Sequence, residues 1–178
     1  MSKYDTFAAH NWGKDKRNHE NVLAIVHQLQ ALGAKVWIDE KEMEGRVINT
    51  MFQGIDDSST VTVFITEEYI HKVAGKGRNG ADDNCLMEFD YSKAHKGIDM
   101  MIPVVMEAAM DDRAKWRGTA GVFISRMRIR GWDRPAEDVA RDIATILAKR
   151  VSGFQASHSK EYMKILGVSQ NKESTTDM

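Results

Sequence analysis

The sequence predicts an α/β fold, a doubly wound parallel sheet of five strands flanked by helices. Short apolar strand candidates alternate with stretches of helical periodicity, giving the order β-α-β-α-β before residue 66. The third strand candidate, residues 61–65, is a near-continuous run of β-branched and aromatic residues, the composition of a strand covered on both faces. The connections are short, which points to right-handed crossovers and parallel pairing.

The first strand covers residues 4–9, where Phe7 and small alanines suit a crowded sheet. Polar His10-Asn11-Trp12-Gly13 and charged Lys14-Asp15-Lys16-Arg17 follow it. Asn18 is placed to cap a helix striped by Val22, Ile25, Val26, Leu29 and Leu32, which Gly33 stops as a C′ glycine. Val36-Trp37-Ile38 is the second strand, ending in Asp39-Glu40, and residues 40–46 form a charged loop around Met43 and Gly45. Val47, Ile48, Met51, Phe52 and Ile55 give another amphipathic helix, closed near residues 56–59.

Beyond the third strand, residues 67–73 read as a short turn and residues 75–80, with three glycines, as a mobile loop. Asp82, Asp83 and Asn84 can cap the next helix, whose apolar stripe is Met87, Tyr91 and Ala94. Glu88 lies off that stripe, on one face with Cys85 and Ser92, where it can look into a cleft. Residues 100–106 make a fourth strand, in which Pro103 suggests an edge or an irregularity. Residues 107–127, with Trp116, suit a loop holding one short helix, and residues 128–132 a fifth strand. Pro135 opens the last helix, striped by Val139, Ile143, Ile146 and Leu147.

At 178 residues and 42% hydrophobic, the chain can bury one good core. A formal charge of −1 argues against nucleic-acid binding by bulk electrostatics. A single cysteine excludes an internal disulfide framework and suits a reducing compartment. The first residues carry no apolar stretch of signal-peptide length and no run is long enough to span a membrane, so the expected location is cytoplasmic.

The glycine loop, with Lys72, Lys76 and Arg78 nearby, has the make-up of a phosphate cradle but matches neither nucleotide-binding fingerprint, so a plain surface loop is the simpler reading. The six histidines show no ligand spacing with Cys85, and no metal site is expected. Cys85, near a helix start, reads as a small buried residue before it reads as a nucleophile. Trp12 and Trp37 stand where two strands end, which is where doubly wound sheets bind ligands. Each can stack on a planar ring or pack in the core.

Five stretches together resemble a TIR (Toll/interleukin-1 receptor) domain: Tyr4-Asp5-Thr6-Phe7; Val36-Trp37-Ile38-Asp39-Glu40 with Met43 and Gly45; Gly54-Ile55-Asp56-Asp57-Ser58 before the third strand; Cys85-Leu86-Met87-Glu88-Phe89; and Met101-Ile102-Pro103-Val104. The resemblance implies a flavodoxin-like sheet in the order 2-1-3-4-5. It implies a TIR domain over residues 1–150; beyond it the residue pattern reads as a C-terminal extension over residues 151–178, a short helix around Tyr162, Ile165 and Leu166 followed by a disordered tail.

Many TIR domains cleave NAD+ at the nicotinamide–ribose bond with a glutamate three residues after a cysteine, and Glu88 matches that residue. The resemblance then implies NAD+ as a substrate and not a cofactor, with substrate contacts from His10, Trp12, Trp37, Asp39 and Asn84. It implies open head-to-tail assembly with other TIR domains through Glu40, Glu42, Met43, Glu44, Gly45 and Arg46. Two stretches depart from the family pattern. The first strand ends Phe7-Ala8-Ala9-His10, where Phe-Ile-Ser-Tyr is usual, and Asn84 replaces a tryptophan found in many active members; Trp12 is the candidate replacement surface. A non-catalytic TIR adaptor, a cyclase and a nucleotide-sensing module are the alternatives, and retention of Glu88 favours catalysis over the adaptor.

Overall fold

The structure, a computed structural model, describes residues 2–39, 47–116, 120–121 and 128–156. Five parallel strands, β1 (Tyr4–Ala9), β2 (Val36–Trp37), β3 (Ser58–Ile65), β4 (Met101–Val105) and β5 (Ile129–Arg130), lie in the order β2-β1-β3-β4-β5. Register is set by pairs such as Phe7 with Trp37, Phe7 with Val61 and Val63 with Pro103. This is the flavodoxin-like arrangement expected.

Alternation along the strands divides the core in two. Phe7, Ala9, Val61, Val63, Ile65, Met101 and Val105 face one layer of helices, α2 (Val47–Asp56), α3 (Glu67–Val73) and α4 (Asn84–Lys96). Ala8, Phe64, Ile102 and Val104 face the other, α1 (Arg17–Ala31) and α5 (Ala136–Arg150). Val22, Ile25, Val26 and Leu29 of α1 and Val139, Ile143 and Leu147 of α5 are buried, as their spacing predicts. Gly33, at φ 93°, ends α1 in a Schellman arrangement, with Ala34 N–H donating to Leu29 O and Gly33 N–H to Gln30 O.

Four local expectations need correction. Residues 67–73 are helical: the Thr66 side chain accepts from Tyr69 N–H, Glu67 and Glu68 occupy the first turn, and His71 and Lys72 the last. Asn18 lies inside α1 and caps nothing; its amide donates to the carbonyl of Asn11 at 2.6 Å. The apolar stripe read for α4 is not its buried face, because Ala94 is exposed while Cys85, Glu88, Phe89 and Ser92 are buried. Pro103 marks no sheet edge. Val105 O accepts from Gly131 N–H on the β5 side, so by alternation the donor Pro103 lacks would also point that way, short of the two residues that β5 pairs. β3 also begins earlier than the apolar run, and its buried hydroxyls are satisfied: Thr60 donates to Asp5 O and Thr62 bonds Thr6.

Among the described residues no helix is long and apolar enough to cross a membrane. Val151 and Phe154 pack against the α1/α5 layer. Tyr162, Ile165 and Leu166 lie outside the described residues.

Gly54 carries a testable consequence. A Cβ there would sit 2.6 Å from Cε2 of Trp37, so the close approach of α2 to β2 depends on its absence. Alanine in a helix normally gains about 1 kcal/mol over glycine, but overpacking of this kind costs about 1–3 kcal/mol. Gly54→Ala is expected to lower the melting temperature and disturb the near-ultraviolet tryptophan signal. A more stable variant would mean that Trp37 is not packed on α2.

Candidate functional site

The chain runs from β1 through α1 to the edge strand β2, then returns across β1 to start β3. That reversal leaves a crevice at the carboxyl ends of the strands. The crevice is a cleft of ≈ 370 Å³. His10, Trp12, Trp37, Asp39, Asn84 and Glu88 all line it, so the structure brings together residues spread from position 10 to position 88. Glu40, Glu42, Met43, Glu44, Gly45 and Arg46 lie outside the described residues.

The end of β1 is held by side chains. The His10 Nδ1 donates to Ala8 O, which fixes the proton on that nitrogen and leaves Nε2 to accept from Nδ1 of His19 at 2.7 Å. Burial lowers the pKa of His10 to about 4, helped by the neighbouring His19, so its imidazole is neutral at pH 7. Trp12 stacks on His19, with centroids 4.0 Å apart and planes 2° apart, and Lys16 lies over the same indole. Buried Asn11 accepts from Thr66 at 2.7 Å and donates to Glu68 at 3.0 Å, tying the end of β1 to the start of α3.

Trp37 forms the wall on the β2 side. It stacks on Phe7 with centroids 4.4 Å apart and has the Gly54 backbone against its ring, so core packing holds it in place. Asp83 caps α4, accepting from Cys85 N–H at 2.9 Å. Cys85 is a buried thiol bonded to the carbonyl of His10, and burial and the Glu88 charge push its pKa up, which makes it a poor nucleophile.

Glu88 stands in the second turn of α4, 7% exposed and without a hydrogen bond to any described residue. Burial raises its pKa well above the carboxylate range, and the charges of Asp39 and then Asp83 add to the effect. The charged form of such a group is stabilised by positive charge placed beside it. Among the described residues no cluster of three or more His, Cys, Asp or Glu is placed to hold a metal.

Sequence reasoning missed Asn11, Glu68, Lys72, Asn79 and Asp83 as cleft residues. Glu68 was hidden by reading α3 as a turn, and Lys72 was singled out only as a cation beside the glycine loop. Thr66 before Glu67 and Glu68, with Ile70 and Val73 three apart, was the available signal.

A family model described as TIR domain matches residues 7–142, well over half of the chain. No curated protein matches it.

His10 and Glu88 act on stability in opposite directions. His10 has a folded pKa below its ordinary 6.5, so its contribution is complete above pH 6.5 and is lost on acidification toward about 4. The full loss is on the order of 3 kcal/mol. Glu88 has a raised folded pKa, so its contribution is present below its ordinary 4.5 and is lost as pH rises. Between pH 7.5 and pH 5, Glu88→Gln is therefore expected to steepen the loss of stability on acidification and His10→Asn to flatten it. Urea midpoints at the two pH values check both signs.

Proposed function

The chain belongs to the TIR domain family, and on that premise we propose that it is an NAD+ nucleosidase, with Glu88 as its catalytic residue. The family includes NAD+-cleaving members. The observation that carries the reading is a buried carboxylate, free of hydrogen bonds to the described residues, at the wall of a cleft also lined by His10, Trp12, Trp37, Asp39 and Asn84.

The chemistry follows from the leaving group. The bond from ribose C1′ to the pyridinium nitrogen breaks, and both electrons go to that nitrogen. Nicotinamide therefore departs neutral and needs no general acid. One carboxylate then suffices, in contrast to the carboxylate pairs of ordinary glycosidases. Glu88 stabilises the positive charge growing on the ribose and holds its hydroxyls, and the ion pair restores what burial took from the acid. Water captures the ribosyl cation to give ADP-ribose and a proton; capture by the substrate's own adenine gives a cyclised product. Asp39 adds negative charge beside the same cation, and Trp37 and Trp12 are the aromatic walls nearest the planar rings.

TIR domains generally interact with other TIR domains. We extend this to open head-to-tail assembly through residues 40–46, which lie on the connection between β2 and α2. A contact of that kind leaves a free end on every strand and does not close.

Two outcomes are expected. Glu88→Gln should fold and lose about two to three orders of magnitude in nicotinamide release, read by chromatography of products from NAD+. A folded variant with the wild-type rate would remove Glu88 from the chemistry. Specific activity should also climb with protein concentration as light scattering reports growing assemblies, and charge reversal at Glu42 and Glu44 should suppress both. A monomer of constant specific activity throughout a dilution series is the contrary result.

A further inference from the structure

The cleft is unevenly charged. Asp39, Glu68, Asp83 and Glu88 line it, and Lys72 is the one lysine or arginine among its described lining residues. His10 adds no charge at pH 7. An acidic cleft suits the pyridinium end of NAD+, but the same molecule carries a diphosphate with two negative charges. Without a cation, that half of the substrate would be repelled.

Lys72 is built for the part. It closes the last turn of α3, with a side chain 28% exposed. Its Nζ lies 4.0 Å from Glu68 and 3.9 Å from Asp83, too far for hydrogen bonds, so its N–H groups can turn to a phosphate oxygen without breaking one. Its stem is pinned by the glycine loop. A Cβ at Gly77 would come 2.9 Å from Cγ of Lys72 and 3.0 Å from Asp83 Oδ2, so only glycine lets the loop close there. Gly75 N–H and Lys76 N–H donate to the carbonyls of Lys72 and His71, which fastens the loop to the end of α3. Asn79 of the same loop reaches the cleft.

We propose that Lys72, held under the glycine loop of residues 75–80, is the anchor for the diphosphate of the substrate and sets the preference for a dinucleotide over a phosphate-free nicotinamide riboside. The inference rests on the nucleosidase reading for its substrate, but it can fail separately. Lys72 acts on the diphosphate and not on the bond that breaks, so its loss belongs in KM and not in kcat.

The experiment compares wild type, Lys72→Gln and Lys72→Arg on NAD+ and on nicotinamide riboside, which has the same scissile bond and no phosphate. Lys72→Gln is expected to raise KM for NAD+ about ten- to a hundredfold, the size of a charge-assisted contact, with kcat and the riboside KM unchanged. Lys72→Arg should restore most of the loss. Calorimetry with ADP-ribose gives a readout that needs no turnover and should weaken in parallel. Lys72→Gln with wild-type KM and ADP-ribose affinity overturns the anchor and leaves the nucleosidase standing. Equal losses on both substrates overturn it too, since they would assign Lys72 to the fold. A wild-type protein that binds ADP-ribose through Lys72 yet never cleaves NAD+ supports the anchor and removes the nucleosidase.

Discussion

The rest of the site depends on a single unfavourable placement: Glu88 is buried, near two other carboxylates, with no hydrogen-bond donor among the described residues. A carboxyl in that position resists ionisation, and each unit by which its pKa is raised withholds about 1.4 kcal/mol from the charged form. The fold must carry this penalty from elsewhere. It does so in part on the opposite face of the sheet, where α1 and α5 bury an apolar layer that shares only Ala8 with the described cleft lining. Each fully buried large apolar side chain there is worth about 1.5–3 kcal/mol.

Holding the acid in place requires rigid surroundings, and the local chemistry supplies them. Asp83 caps α4 and fixes its first turn. The Asn11 network joins β1 to α3, and the His10–His19 pair locks the first residue after β1. The cleft walls are aromatic rings already packed on other rings, Trp37 on Phe7 and Trp12 on His19. Stacking contacts offered by such walls lose little entropy on binding, because the walls are ordered beforehand.

Much of the fold was legible because its signals are local and repeated. Strand β3 announced itself by β-branched composition, α1 and α5 by period, and α1's end by a glycine at positive φ. The site was legible in a different way. Glu88 could be placed on a face with Cys85 and Ser92 by spacing alone, but the apolar stripe pointed to the wrong buried face. Periodicity weighs apolar positions, and α4 instead buries a thiol, an acid and a hydroxyl beside Phe89. Functional sites are where local rules are broken. The His10–His19 bond, the Asn11 bridge and the reach of Lys72 were not legible at all, because each joins residues across a turn or between elements.

The charges of the cleft then make sense as a set. Four carboxylates around one cavity would be a liability for a protein that bound only anions. They suit a reaction in which positive charge moves from a pyridinium onto a sugar, since a carboxylate beside the sugar favours the charge in its new place. A neutral His10 keeps the end of β1 from cancelling the effect, which an imidazolium there would do. The cost appears with the phosphate groups of a dinucleotide, which the same acids repel. A cleft with this composition therefore needs its cation displaced from the reacting carbon, close enough to hold the anion and far enough not to oppose the cation. Lys72, 4.0 Å from Glu68 and 3.9 Å from Asp83, is the lysine that the described lining offers for that part.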